Sequence, residues 1–141
     1  MIRVRYGVMR PGVTGRPKPS REAEQQYEAD LALAGRRAKL LDAAREAEAR
    51  FREAQARHAP DAEIRRLAGD FDAALTAAMR AAYAAQRAEI GPRGYDDRIY
   101  RRKAKATPRV RALTAEAEHL LTLRETHRLT GIPAVAFEPA P

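Results

Sequence analysis

Residues 20–58 read SREAEQQYEADLALAGRRAKLLDAAREAEARFREAQARH, and residues 59–63 follow as APDAE. Within the first stretch Tyr27, Leu31, Ala34, Ala38, Leu41, Ala44, Ala47, Phe51 and Ala54 recur at steps of three or four, an apolar stripe with the period of an α-helix. Ser20 stands where an N-cap is wanted, and Glu22 and Glu24 fall in the first turn, where the helix dipole favours negative charge. The pattern predicts one helix over 20–58. Pro60, with Asp61 and Glu63 just behind it, predicts a new helical start. A second stripe of Ile64, Leu67, Phe71, Leu75, Ala78, Met79 and Ala82 runs until Gly91–Pro92 stops it. Two long helices joined by a tight turn predict an antiparallel helical hairpin over 20–91.

Outward from the hairpin, 92–107 reads as a basic linker with a turn or two of helix after Asp96. Thr107 as a cap and Pro108 as the first residue then predict a third helix over 108–130, carrying Val110, Leu113, Ala117, Leu120 and Leu121. Residues 131–141 hold three prolines, with Val135 and Phe137 between them, and read as an extended tail whose Phe137 can anchor in a groove. At the other end, Ile2, Val4, Tyr6 and Val8 alternate with Arg3, Arg5 and Gly7, the period of a short strand or extended arm. Residues 11–19 (PGVTGRPKP) are dense in Pro and Gly and exclude regular structure, so 1–19 reads as a basic extended arm. The expected fold class is all-α: a long antiparallel hairpin plus a third helix, with an extended or β N-terminal arm and an extended C-terminal tail.

Composition supports helix in the middle of the chain. Its 141 residues are enough for one domain, and 81 of them are Ala, Glu, Lys, Leu or Arg, above the roughly one-half that marks long helices and coiled coils. Leu, Ile, Val and Phe together number only 24, a share associated with disorder when net charge is high, which leaves disorder open for the ends. Nine of the sixteen residues from Ala73 to Ala88 are alanine, so the hairpin seam is thin. It is expected to need the third helix, a protein partner or a second copy of the chain to cover it.

Several classes are excluded. There is no cysteine, hence no disulfide, no Cys-based metal centre and no thiol nucleophile. No uncharged run approaches the roughly 18 apolar residues a membrane span needs. The first 21 residues have the charge of an organellar presequence, but Pro11, Pro17 and Pro19 break any amphipathic helix there. Arginine outnumbers lysine 23 to 4 and alanine numbers 31, a bias that GC-rich coding produces. It points to a bacterial or phage protein, cytoplasmic or carried within a virion.

The formal net charge of +8 is unevenly placed. Residues 1–21 hold six basic residues and no acid, and residues 93–111 hold eight basic residues against Asp96 and Asp97. Residues 22–92, the body of the hairpin, have 11 basic and 13 acidic residues, and 112–141 has two and four, so the scaffold is slightly acidic. Two segments outside the main helices therefore carry the whole excess, unlike a helical surface laced with ion pairs. The candidate interface is Arg3, Arg5, Arg10, Arg16 and Lys18 in the arm with Arg93, Arg98, Arg101, Arg102, Lys103, Lys105, Arg109 and Arg111 in the second segment. Tyr95 and Tyr100 lie among these arginines, where they can stack on bases or pack on a partner, and Phe137 is the candidate anchor of the tail. Thr14–Pro19 (TGRPKP) resembles part of an AT-hook, a minor-groove motif, but has Thr14 where the first core arginine belongs. The more general expectation is an extended cationic arm able to enter a groove.

Catalytic chemistry finds little support. Glu116 and His119 have the Glu-x-x-His spacing and resemble half of a ferritin-like di-metal site, yet His58, the hairpin's one histidine, has Gln55 three residues before it and completes no second motif. Gly12–Gly15 leads into prolines and not into a phosphate-binding helix start, and Ser20, the sole serine, is explained as a cap. No enzyme activity, cofactor or metal is expected. The expected function is a basic helical accessory protein that binds nucleic acid or a nucleoprotein machine through its arm and the 93–111 segment. Two alternatives remain: a structural protein of a large assembly such as a phage head or tail, and a regulator docking on a polymerase through its tail.

Overall fold

The computed structural model describes residues 18–131. The arm positions Arg3, Arg5, Arg10 and Arg16, the strand expected at 1–9, and the tail with Phe137 lie outside the described residues. What is described is all-α, with no strand among the described residues and no helix long and apolar enough to cross a membrane.

Helix α1 spans Arg21–Ala34, and its start follows the sequence rule: the Ser20 backbone is extended and its Oγ accepts from the Ala23 amide at 3.0 Å. The single helix expected over 20–58 is two. After α1 the chain tightens at Gly35 and Arg36, where the Arg36 amide bonds back three residues to Leu33 instead of four, and α2 begins at Arg37 and runs to Ala56. Glycine is a poor helix former, which makes this the weakest point of the run. The break shifts the phase of the apolar stripe, so Leu31 is 47% exposed and Ala38 is exposed, while Ala44, Ala47, Phe51 and Ala54 beyond it are buried.

Helix α2 ends on His58, the one non-glycine residue of positive φ (55°) among the described residues. The Ala59 amide reaches Ala54 O at 2.9 Å and the His58 amide reaches Gln55 O at 3.1 Å, the two reversed bonds of a Schellman ending. Ala54 and Ala59, the paired apolar positions of that motif, are both buried. Helix α3 follows over Asp61–Ile90, with Asp61 and Glu63 in its first turn; its 30 residues span about 45 Å.

Helix α3 is the centre of the molecule. Its contacts with α1 and α2 occur in reverse chain order: Arg87 to Asp30, Phe71 to Phe51 (ring centroids 6.2 Å apart) and Glu63 to Arg57. Beyond α3, a 3₁₀ turn at Pro92–Tyr95 leads to helix α4, Arg98–Lys105, within what the sequence suggests is linker. Helix α5, Pro108–Thr126, then returns along α3, with Arg109 on Glu89, Thr114 on Gln86 and Arg128, just past its end, on Asp72. The third helix is thus shorter than the expected 108–130; one π-helical turn, His127–Gly131, completes it. Thr107 precedes α5 without a side-chain cap, since its hydroxyl donates instead to Ala104 O at 2.7 Å.

The core joins Phe51, Ile64, Leu67, Phe71, Leu75 and Leu120 with buried alanines from α2, α3 and α5. Ala78, Ala81, Ala82 and Ala84 are fully buried within the one chain. This part of the alanine seam is covered by the chain's own helices: small side chains let α1 and α5 approach the α3 backbone from two sides. His127 packs into the core, its ring 5.2 Å from Phe51 and 4.6 Å from Phe71, with Nε2–H donating to Ala68 O at 2.8 Å and Nδ1 without a hydrogen-bond partner among the described residues.

Candidate nucleic-acid interface

The second basic segment begins at a turn that only glycine makes easily. Gly91 ends α3 with φ at 98°, a backbone conformation that side chains disfavour. Three residues on, a Cβ at Gly94 would overlap Ile90 Cγ2, so the 3₁₀ turn lies directly against the end of α3. Arg101 reaches back from α4 to Gly94 O at 2.6 Å and closes the turn. Asp97 caps α4 by accepting from the Tyr100 amide at 2.9 Å and pairs with Arg93 at 3.2 Å. That amide bond holds the Asp97 carboxyl below its ordinary range, with Arg93 adding to the effect. The Arg93 guanidinium in turn lies over the Tyr100 ring, 4.4 Å from its centroid.

Tyr95 is also committed to the fold. Its hydroxyl donates to Asp30 of α1, which also receives a two-pronged contact from Arg87 of α3 at 2.7 and 3.1 Å. Burial alone would push the Asp30 carboxyl up, but the hydrogen bonds from Arg87 and Tyr95 outweigh it and hold the group below its ordinary value. Burial and the bond to Asp30 push the Tyr95 phenol well above the usual tyrosine range. One carboxylate thus fastens α1, α3 and the 3₁₀ turn together.

The other acid of the segment has a different partner. Asp96 accepts from the Ser20 amide at 2.7 Å and from Ser20 Oγ at 3.0 Å, across 76 residues of chain. The N-cap of α1 is thereby tied to the entrance of α4. A cleft of about 460 Å³ beside this junction has Lys18 on one side and Arg98 and Ile99 on the other. The first described residue of the chain, Lys18, and the first residue of α4, Arg98, share one surface.

The sequence-predicted cations divide into two groups. Arg93 and Arg101 are half-buried and spend their guanidinium groups inside the turn, and Arg109 lies on Glu89 at 2.9 Å while remaining exposed. Lys18, Arg98, Arg102, Lys103, Lys105 and Arg111 are exposed and form no ion pair among the described residues. Of the two acids in the segment, Asp97 pairs with Arg93 and caps α4, while Asp96 accepts only from the neutral amide and hydroxyl of Ser20 and keeps its charge in the cleft shared with Lys18 and Arg98. Tyr95 and Tyr100, read from sequence as residues that stack on bases or pack on a partner, are both half-buried, Tyr95 with its hydroxyl on Asp30 and Tyr100 with the Arg93 guanidinium over its ring.

The remaining candidates lie elsewhere. Glu116 pairs with Arg37 at 2.8 Å and His119 is exposed beside it, both on the rim of an open groove between α2 and α5 floored by Phe71 and Leu75. Among the described residues no group of three or more His, Asp or Glu is arranged to hold a metal ion. No protein-family model, curated protein or solved structure matches the chain.

Proposed function

We propose that this chain is a non-enzymatic basic accessory protein that binds nucleic acid or a nucleoprotein surface through its N-terminal arm and the 93–111 segment. In this reading α1 and α2 form with α3 the helical hairpin on which both segments are mounted. The observation that supports it is the Ser20–Asp96 junction, which ties the C-terminal end of the arm to the start of the second basic segment. Lys18, which follows the undescribed part of the arm, thus lies in one cleft with Arg98 of the second segment. The contrast with α2 supports the same reading. There Arg45, Arg52 and Arg57 pair with Asp42, Glu48 and Glu53 three or four residues away, as a solvated helical surface does. Helix α4 offers its cations no such partner.

The test is to purify the full chain without nuclease at low salt and measure the mass and ultraviolet spectrum of what co-purifies. Nuclease-sensitive material bound to the parent and lost from an Arg98→Ala, Arg102→Ala, Lys105→Ala variant is the expected result. Protein free of nucleic acid, with binding only to an acidic protein, would overturn the reading.

A further inference from the structure

We infer that residues 132–137 (IPAVAF) of this chain seat in the groove between α2 and α5, with Phe137 as the anchor; the inference goes beyond the nucleic-acid reading and does not rest on it. The groove is a gap left by the fold. Helices α2 and α5 both pack on α3, and they are bridged to each other at two levels. Arg37 reaches Glu116 at 2.8 Å at one, and Phe51 meets the ring of His127 at the other. Between those bridges a slot of about 290 Å³ opens over Phe71 and Leu75 of α3, lined by Leu41 and Ala44 of α2 and by Leu120 and Leu123 of α5. Leu123 is 39% exposed and Leu41 is half-buried, so the lip of the slot presents apolar surface whose removal from water is favourable.

Position, chemistry and reach name the occupant. The described chain ends at Gly131, at the His127 end of the slot, where His127 lies against Phe71 and Arg128 is held on Asp72 at 2.7 Å. The next six residues are apolar and uncharged, as the slot requires, and the first charge beyond them is Glu138. Pro133 and Pro139 count against a helix there and favour an extended path of about 3.1 Å per residue. Phe137 is six residues past Gly131; with one or two of them spent on reversing the chain, it reaches about 12–16 Å back along the molecule. Along α5, at about 1.5 Å per residue, Leu123 and Glu116 stand about 12 and 22 Å before Gly131. The reach of Phe137 therefore falls inside the slot, at the levels of Leu123 and Leu120. So short a tether presents the segment at an effective concentration in the millimolar range, which favours it over a second copy of the chain.

The chain has no cysteine, so introduced thiols report proximity without interference. In the full chain Glu138→Cys is combined either with His119→Cys, on the rim of the slot, or with Glu118→Cys, its exposed neighbour on α5, which does not line it. The two pairs have nearly the same reach from Gly131 and differ in the face they test. Each is equilibrated in a glutathione redox buffer at micromolar protein, with circular dichroism to show that it is folded, and the intramolecular disulfide is measured by mass after alkylation. The His119 pair is expected to close at least about tenfold more favourably than the Glu118 pair, because a seated Phe137 holds residue 138 over the slot. Adding Phe137→Ala should bring the two pairs within about twofold of each other. Equal closure of the two pairs, or a preference that survives Phe137→Ala, would overturn the inference. A disulfide-linked dimer in place of the internal bond would put the segment in a second copy and overturn it as well. Each of these results leaves the nucleic-acid reading intact.

Discussion

The contact most open to direct challenge is the one Asp30 makes. Replacing Asp30 by alanine removes a two-pronged ion pair to Arg87 and the acceptor for the Tyr95 hydroxyl, leaving two polar groups that are only half exposed without partners. Breaking a fully buried pair costs about 3–5 kcal/mol. The Arg87 side chain is 43% exposed, so water recovers part of that, and a cost of about 2 kcal/mol is expected. With about 2.1 cal/mol/K of unfolding entropy per residue over the 114 residues from 18 to 131, that cost lowers the melting temperature by about 8 °C. Tyr95→Phe removes only the hydroxyl and should cost about 1 kcal/mol. The double variant should cost less than the sum of the two, because both remove the same bond. Thermal and urea unfolding followed by circular dichroism measure all three. An Asp30→Ala cost below about 0.5 kcal/mol, or strict additivity with Tyr95→Phe, would refute the claim that this carboxylate fastens the 3₁₀ turn to α1 and α3.

Two further outcomes follow from the same coordinates. His58→Gly should stabilise the chain by about 0.5–1 kcal/mol, because a left-handed L-residue costs about 1–2 kcal/mol and glycine's extra freedom when unfolded returns part of it; a lower urea midpoint would contradict the Schellman ending. The carboxyls of Asp30 and Asp72 are both held below their ordinary value, Asp72 chiefly by the hydrogen bond from Arg128, so each contributes stability above the unfolded carboxylate pKa that is lost as pH falls through its folded one. Stability should be flat near neutrality and fall below about pH 4, and an Asp30→Asn, Asp72→Asn variant, less stable at pH 7, should show a shallower acid limb; an unchanged limb would place acid sensitivity elsewhere.

Much of the fold is readable because its signals are local. Ser20 caps α1, Asp61 and Glu63 open α3, Pro108 opens α5, and the stripe from Ile64 through Leu75 is buried as its spacing requires. The break at Gly35–Arg36 was hidden because apolar residues continue across it at helical steps, and only the backbone bond from Arg36 to Leu33 shows the change of phase. Helix α4 is short and almost wholly polar, so it has no apolar stripe to announce it; its one local signal is Asp97 three residues before the Tyr100 amide it caps.

The candidate site divides along the same line. Charge partition singled out the 93–111 segment, and five of its eight cations are exposed without an ion pair among the described residues. The roles of the tyrosines were not legible, because Tyr95 is decided by Asp30, 65 residues away, and no spacing rule reaches that far. The junction of Ser20 with Asp96 was equally hidden: locally, one is a helix cap and the other an acid in a basic run. His127 likewise has no sequence signal of burial, since its place between Phe51 and Phe71 depends on how α5 returns along α3.

The measurement that tests the central claim most directly is the salt dependence of nucleic-acid binding by the parent chain and by the Arg98→Ala, Arg102→Ala, Lys105→Ala variant. About six engaged phosphates predict a log–log slope near −5 and a loss of roughly a thousandfold in affinity between 50 and 200 mM salt. Removing three of the cations should bring the slope to about half that value. A flat dependence for the parent, or the same steep slope in the variant, would contradict the proposal that the 93–111 segment is part of the interface.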